Sequence, residues 1–213
     1  RNPGTNRAAL RSNTHDWRLT GYRTDSKMQL FNTSERFGMV TIFFHWMIAT
    51  IVLTLLALGW YMVELTYYDP LYNSLPFIHK SIGVLLAAVL IVKLGWRLFD
   101  RAPSPIAALS ALETTFAGMA HIALNTLILF IIISGSLIPT ANGEGISVFD
   151  WFEVPASMVE FPDQEDTAGL LHKVLAYALV GFIAVHMAAA CKHHFIQKND
   201  VLRRMLGLTS NHS

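Results

Sequence analysis

The chain has 213 residues, of which 53% are hydrophobic and 15% charged, with a formal net charge of +1. The net charge says little by itself, its distribution says more, and no nucleic-acid partner is expected. The single cysteine, Cys191, rules out an internal disulfide, a cysteine-built zinc cluster and a Cys-x-x-Cys-His haem attachment.

In chain order, residues 1–35 read as a polar tail without a sustained apolar period, and 36–213 as one membrane domain. Up to residue 36 there are seven bases (Arg1, Arg7, Arg11, Arg18, Arg23, Lys27 and Arg36) against three acids. That composition fits a cytoplasmic tail, and also an organellar transit segment, which would place the protein in a mitochondrial inner membrane instead of a bacterial one. Asn32-Thr-Ser-Glu-Arg36 reads as a helix cap, its side chains accepting free N–H groups at the start of the first apolar run.

Four apolar runs follow, roughly at 38–62, 78–98, 113–138 and 168–191. Each is long enough to cross a hydrocarbon core about 30 Å thick, and each is apolar nearly all round, unlike the striped helices of a soluble bundle. The expected fold is therefore all-α and integral to the membrane, a bundle of four transmembrane helices. Trp60, Tyr61, Tyr67 and Tyr68 at the end of the first run suit an interfacial aromatic belt. Ala102-Pro-Ser-Pro105 suits a short extended link, and the long segment 139–167 a surface cap.

Charge sets the expected orientation. The links after runs one and three carry Glu64 and Asp69, then Glu144, Asp150, Glu153, Glu160, Asp163, Glu165 and Asp166, with no base. Arg97, Arg101, Lys192, Lys198, Arg203 and Arg204 follow runs two and four. The positive-inside rule then puts both termini on the cytoplasmic (N) side and the acidic loops on the opposite (P) side.

Five of the nine histidines fall within the runs. His172 and His186 lie fourteen residues apart, which on a helix means nearly one face, about 40° off, and a climb of roughly 21 Å. His79 shares the P-side depth of His172, while His45 and His121 share the N-side depth of His186. Imidazoles inside a membrane are costly and usually functional. A low-spin haem needs one above and one below its ring, so His79 with His172 fits one haem, and His186 with either His45 or His121 a second. Zinc is the other candidate metal, but it would want further ligands gathered at one depth. Gly83 and Gly169, one helical turn from His79 and His172, would let a flat macrocycle approach the backbone, or would serve as ordinary helix contacts. His193, His194 and Lys192, where the fourth run leaves the N side, suit either a quinone head group or a basic interfacial anchor. His15 and His212, in the tails, suggest no role.

The run Arg36-Phe-Gly with His45-Trp46, then His79-Lys-Ser-Ile-Gly83, Trp96-Arg97, Ala120-His121, His172-Lys-x-Leu-Ala-Tyr177 and His186 through His194, resembles the bacterial cytochrome b561 family over about residues 35–205. The resemblance implies two non-covalent b haems in a bacterial inner membrane. It implies His45 and His186 as ligands of the N-side haem, His79 and His172 as ligands of the P-side haem, and His121 as a near-haem residue. In one branch superoxide gives electrons on the P side and ubiquinone takes them on the N side, beside the residue corresponding to His193. Where the family often has Tyr or a second His after the third-span histidine, this chain has Asn125 and Thr126. The acidic loop would repel an anion, but Lys80 and Lys173, each directly after a P-side histidine, make a local positive mouth. They equally suit snorkelling to head groups or pairing with haem propionates.

The expected function is thus electron transfer from superoxide to ubiquinone through two haems. One alternative is a haem b subunit of a larger respiratory complex, relaying electrons between quinone and a partner dehydrogenase or cytochrome. Another is a haem-free transporter, against which the absence of acids in the middle of the runs already argues.

Overall fold

A computed structural model describes residues 29–105, 109–157 and 159–208. The first 28 residues of the expected tail, with His15 and His212, lie outside this set. Four long helices account for the apolar runs: α1 (Met39–Met62), α2 (Ser74–Phe99), α3 (Ala111–Leu137) and α4 (Gln164–Cys191). All four are long and apolar enough to cross a membrane. The connections α1–α2 and α2–α3 are short, and a longer segment joins α3 to α4. We call the end where α1 begins and α4 finishes the foot, and the opposite end the crown.

Buried apolar side chains form one layer: Ile48 and Val52 of α1, Leu86 and Leu90 of α2, Ile128 of α3 and Leu179 of α4. By sequence this layer lies between the foot histidines and the crown histidines. Branched and γ-branched side chains from every helix close the bundle there. Outward-facing apolar residues stay exposed, as a lipid-facing surface requires.

The expected cap on α1 is corrected in detail. The helix starts at Gly38 with no side-chain cap. Asn32 and Thr33 serve the preceding turn instead: the Asn32 side chain accepts from Gly38 N at 2.7 Å, and Thr33 Oγ1 from Arg36 N at 3.0 Å. The turn is fastened to α2 by Asp100, a buried carboxylate that accepts from Asn32 N (3.1 Å) and Trp96 Nε1 (3.0 Å), while Phe31 stacks on Trp96. A Cβ on Gly38 would collide with the backbone of Leu30 and Phe31, so only glycine fits there.

The crown segment is more ordered than a plain cap. After a 3-10 turn at Pro139–Asn142, β1 (Ile146–Val148) and β2 (Phe152–Val154) pair antiparallel, Val148 opposite Phe152. Phe149 and Asp150 take the left-handed conformation that a tight hairpin turn demands. The hairpin docks on α2 through the buried Ser81, whose Oγ accepts from Phe149 N at 3.1 Å. At its far end the segment returns to the bundle through Gln164, whose side-chain amide donates to the free carbonyl of Leu137 at 3.0 Å and so closes the end of α3.

At the foot, α4 continues into a π-helical turn, Lys192–Ile196, and then a short helix, α5 (Val201–Met205). Trp46 of α1 donates to the carbonyl of Met205 at 2.8 Å, folding α5 back against the bundle.

Candidate functional site

Five imidazoles meet inside the bundle in two groups. At the crown, His79 of α2 faces His172 of α4 with ring centres 6.2 Å apart. At the foot, His45 of α1 faces His186 of α4 at 6.3 Å, and His121 of α3 stands 5.3 Å from the same His186. Two imidazoles bound to one metal from opposite sides, at about 2 Å per metal–nitrogen bond, put their ring centres about 6 Å apart. The His79–His172 and His45–His186 pairs sit at that spacing, and His121–His186 is closer.

The crown pair shows how a ligand would be oriented. His172 Nδ1 lies 2.9 Å from the carbonyl oxygen of Ile131, which can only accept, so Nδ1 carries the proton. The Nε2 lone pair is then free for a metal, the usual second-shell arrangement of a ligating histidine. His79 Nδ1 is buried and, among the described residues, has no hydrogen-bond partner, an orphaned polar atom that a bound group would account for. These residues fit a bis-histidine haem.

The glycines that touch these rings are not the ones the sequence suggested. A Cβ at Gly83 or Gly169 meets nothing within 4 Å. On Gly59 it would lie 3.5 Å from His79 Cε1, an ordinary contact, whereas on Gly135 it would lie 2.8 Å from His172 Cε1. The ring of His172 therefore rests directly on the α3 backbone. Sequence reading missed Gly135 because its significance depends on a helix 37 residues further along.

Lys80 is half-buried and Lys173 exposed, both beside the crown pair in sequence, and among the described residues neither forms an ion pair. At the foot, the π turn breaks the simple return of His193 and His194 to the face of His186. His193 Nδ1 instead makes a short hydrogen bond to Gln197 Oε1, and His194 packs on Phe195. Gln197 Nε2 donates in turn to Glu113 Oε1 at 2.7 Å, and Lys192 pairs with the same oxygen at 3.2 Å. Glu113 also closes a capping box with Ser110. One carboxylate at the start of α3 therefore holds the basic end of α4, a role its local sequence signals only as a cap.

Four membrane-spanning helices that converge two layers of paired imidazoles define a membrane electron-transfer protein of the haem b class. A family model described as prokaryotic cytochrome b561 matches residues 36–208, and the chain belongs to that family. It is 45% identical over 184 residues to cytochrome b561 homolog 2 of Escherichia coli (strain K12), covering 86% of this chain and 98% of that protein. It is 25% identical over 174 residues to the probable superoxide oxidase CybB of Yersinia pestis, covering 81% and 96%. The protein is accordingly a haem b-binding, multi-pass protein of the bacterial inner membrane, and it transfers electrons.

Gly135 offers a direct check on the crown. Gly135→Val should push the His172 ring off its seat and lower the haem content of the purified protein, while Gly59→Ala, at ordinary contact distance, should leave it unchanged. Haem-to-protein absorbance ratios distinguish the two outcomes; equal haem content in both variants would show that the ring has room to move.

Proposed function

We propose that residues 36–213 form a di-haem unit that carries electrons from superoxide at the crown to ubiquinone at the foot. The observation that carries this reading is the pair of imidazole pairs, His79–His172 and His45–His186, at 6.2 and 6.3 Å on either side of one apolar layer. Each haem, when bound, supplies a one-electron iron couple tuned by its ligands and surroundings. The four histidines hold and orient the two groups; His121, close to His186 but not at ligand spacing, lines the foot site. The apolar layer excludes water between the two levels. Support for the orientation comes from charge: Arg36, Arg97, Arg101, Lys192, Arg203 and Arg204 at the foot favour the cytoplasm, and segment 139–167, which carries no base, suits the outer side.

Support for the donor comes from the likeness to the probable superoxide oxidase and from Lys80 and Lys173, which flank the crown pair and guide an anion toward it. For the acceptor, support comes from His193 and His194 at the foot, where ring nitrogens can exchange hydrogen bonds and protons with a quinone head group. A second reading has a specific observation in its favour. The chain is much more similar to cytochrome b561 homolog 2 than to the superoxide oxidase, and its seven-carboxylate loop suits a basic redox protein. In that reading the protein relays electrons between quinone and a partner dehydrogenase or cytochrome within a larger respiratory complex.

Stopped-flow visible spectroscopy separates the two. Superoxide should reduce the Soret band within the mixing time, and a short-chain ubiquinone should drain it; indifference to superoxide would favour the partner reading. Replacing both Lys80 and Lys173 with Gln should slow reduction several-fold at low ionic strength and flatten its salt dependence. An unchanged salt slope would reject their guiding role.

A further inference from the structure

Lys93 is a charged side chain deep in the bundle that the electron-transfer reading does not use. It lies six residues inside the foot end of α2, about 9 Å along the axis. A lysine at that depth ordinarily snorkels outward, stretching its stem toward the nearer surface. Lys93 does the opposite. Its Nζ donates at 2.7 Å to Oδ1 of Asn125, which stands midway along α3, fourteen residues from that helix's foot end. Asn125 is itself held by its Nδ2, which donates to the carbonyl of His121 at 2.6 Å.

The partner is neutral, so the positive charge is anchored but not cancelled, and among the described residues Lys93 has no ion pair. Its field falls on both His45 and His121, the imidazoles of α1 and α3 that surround His186. Arg97, one turn nearer the foot, is exposed, where water and salt screen it.

We propose that Lys93, steered inward by Asn125, is the fixed charge that raises the electron affinity of the foot haem and so biases transfer from crown to foot. The proposal rests on the di-haem reading above. A unit positive charge about 10 Å from a redox centre, at an effective dielectric constant of about 20, favours the added electron by a factor of ten or more. A charge beside only one of two carriers tilts the equilibrium between them.

The test is a potentiometric titration of the purified, haem-loaded full chain, followed by visible spectra. In Lys93→Met two haems should remain, and one of the two potentials should fall so that its reduced-to-oxidised ratio drops about tenfold, or 59 mV for one electron. Asn125→Asp should lower the same potential by supplying a counter-charge with Lys93 still present, which keeps the test valid if Lys93→Met fails to assemble. Lys93→Arg should hold the wild-type potential. Unchanged potentials in both Lys93→Met and Asn125→Asp, with two haems retained, would overturn the role of Lys93 alone. A wild-type chain with a single haem would overturn the di-haem reading and the proposal with it.

Discussion

His172→Ala should yield a protein with half the wild-type haem, one b group per chain instead of two. Reduction of the remaining haem by a crown-side donor should slow by orders of magnitude, because the electron loses its first station. The deletion removes the imidazole that faces His79, and with it one of the donors to the carbonyl of Ile131, which keeps the Ser134 hydroxyl at 3.1 Å. Because that carbonyl stays paired, the loss of haem should not be accompanied by the full penalty of an unsatisfied buried group. His121→Ala provides the contrast. His121 stands near His186 but not at ligand spacing, and its removal should leave two haems with at most a shifted spectrum. Pyridine haemochrome stoichiometry and low-temperature spectra read both results. Two spectrally unchanged haems in His172→Ala would refute the crown assignment, and loss of a haem in His121→Ala would exchange the roles of His121 and His45.

The parts of this protein that follow from one-dimensional arithmetic were legible in the sequence. Hydropathy summed along the chain locates α1 to α4 because lipid exposure asks the same of every face of a helix, whatever its neighbours. The depth of each histidine follows from its distance to the end of its run, so the crown and foot groups needed only a ruler of about 1.5 Å per residue. Contacts between distant segments were not legible. Asn32 looked like a helix cap because nothing local shows that Asp100 would accept from its backbone. Gly83 and Gly169 drew notice because they share helices with His79 and His172, whereas the glycine that seats a ring, Gly135, belongs to the facing helix. The hairpin at 146–154 lacks the Asn-Gly or Asp-Gly turn that would announce it; Phe149 and Asp150 adopt left-handed backbone because Ser81 and α2 hold the turn in place. At the π turn, Glu113 pulls on Lys192 and Gln197 from across the foot, a contact that Lys-His-His-Phe-Ile does not announce locally.

That pull leads to the second large effect. Glu113→Ala should slow electron delivery to ubiquinone about tenfold or more while both haems are still reduced normally from the crown. Glu113 Oε1 holds Gln197 at 2.7 Å and Lys192 at 3.2 Å, and Gln197 turns its own carbonyl oxygen toward His193. That oxygen can only accept, so His193 carries its proton on Nδ1 and is left with Nε2 to face a quinone. Remove Glu113, and the amide of Gln197 can flip and the ring of His193 can turn. Glu113 also caps α3 through Ser110, so a slow variant could reflect a frayed helix instead of a misdirected histidine. Ser110→Ala separates the causes, since it removes the hydroxyl half of the capping box and leaves Gln197 and Lys192 in place. Gln197→Leu cuts the link to His193 and leaves the cap intact. Quinone reduction should therefore fall in Glu113→Ala and Gln197→Leu and hold in Ser110→Ala, as measured by haem reoxidation after mixing with a short-chain quinone. Slowing in Ser110→Ala equal to that in Glu113→Ala would assign the effect to the helix end, and His193 would then owe its orientation to the π turn alone.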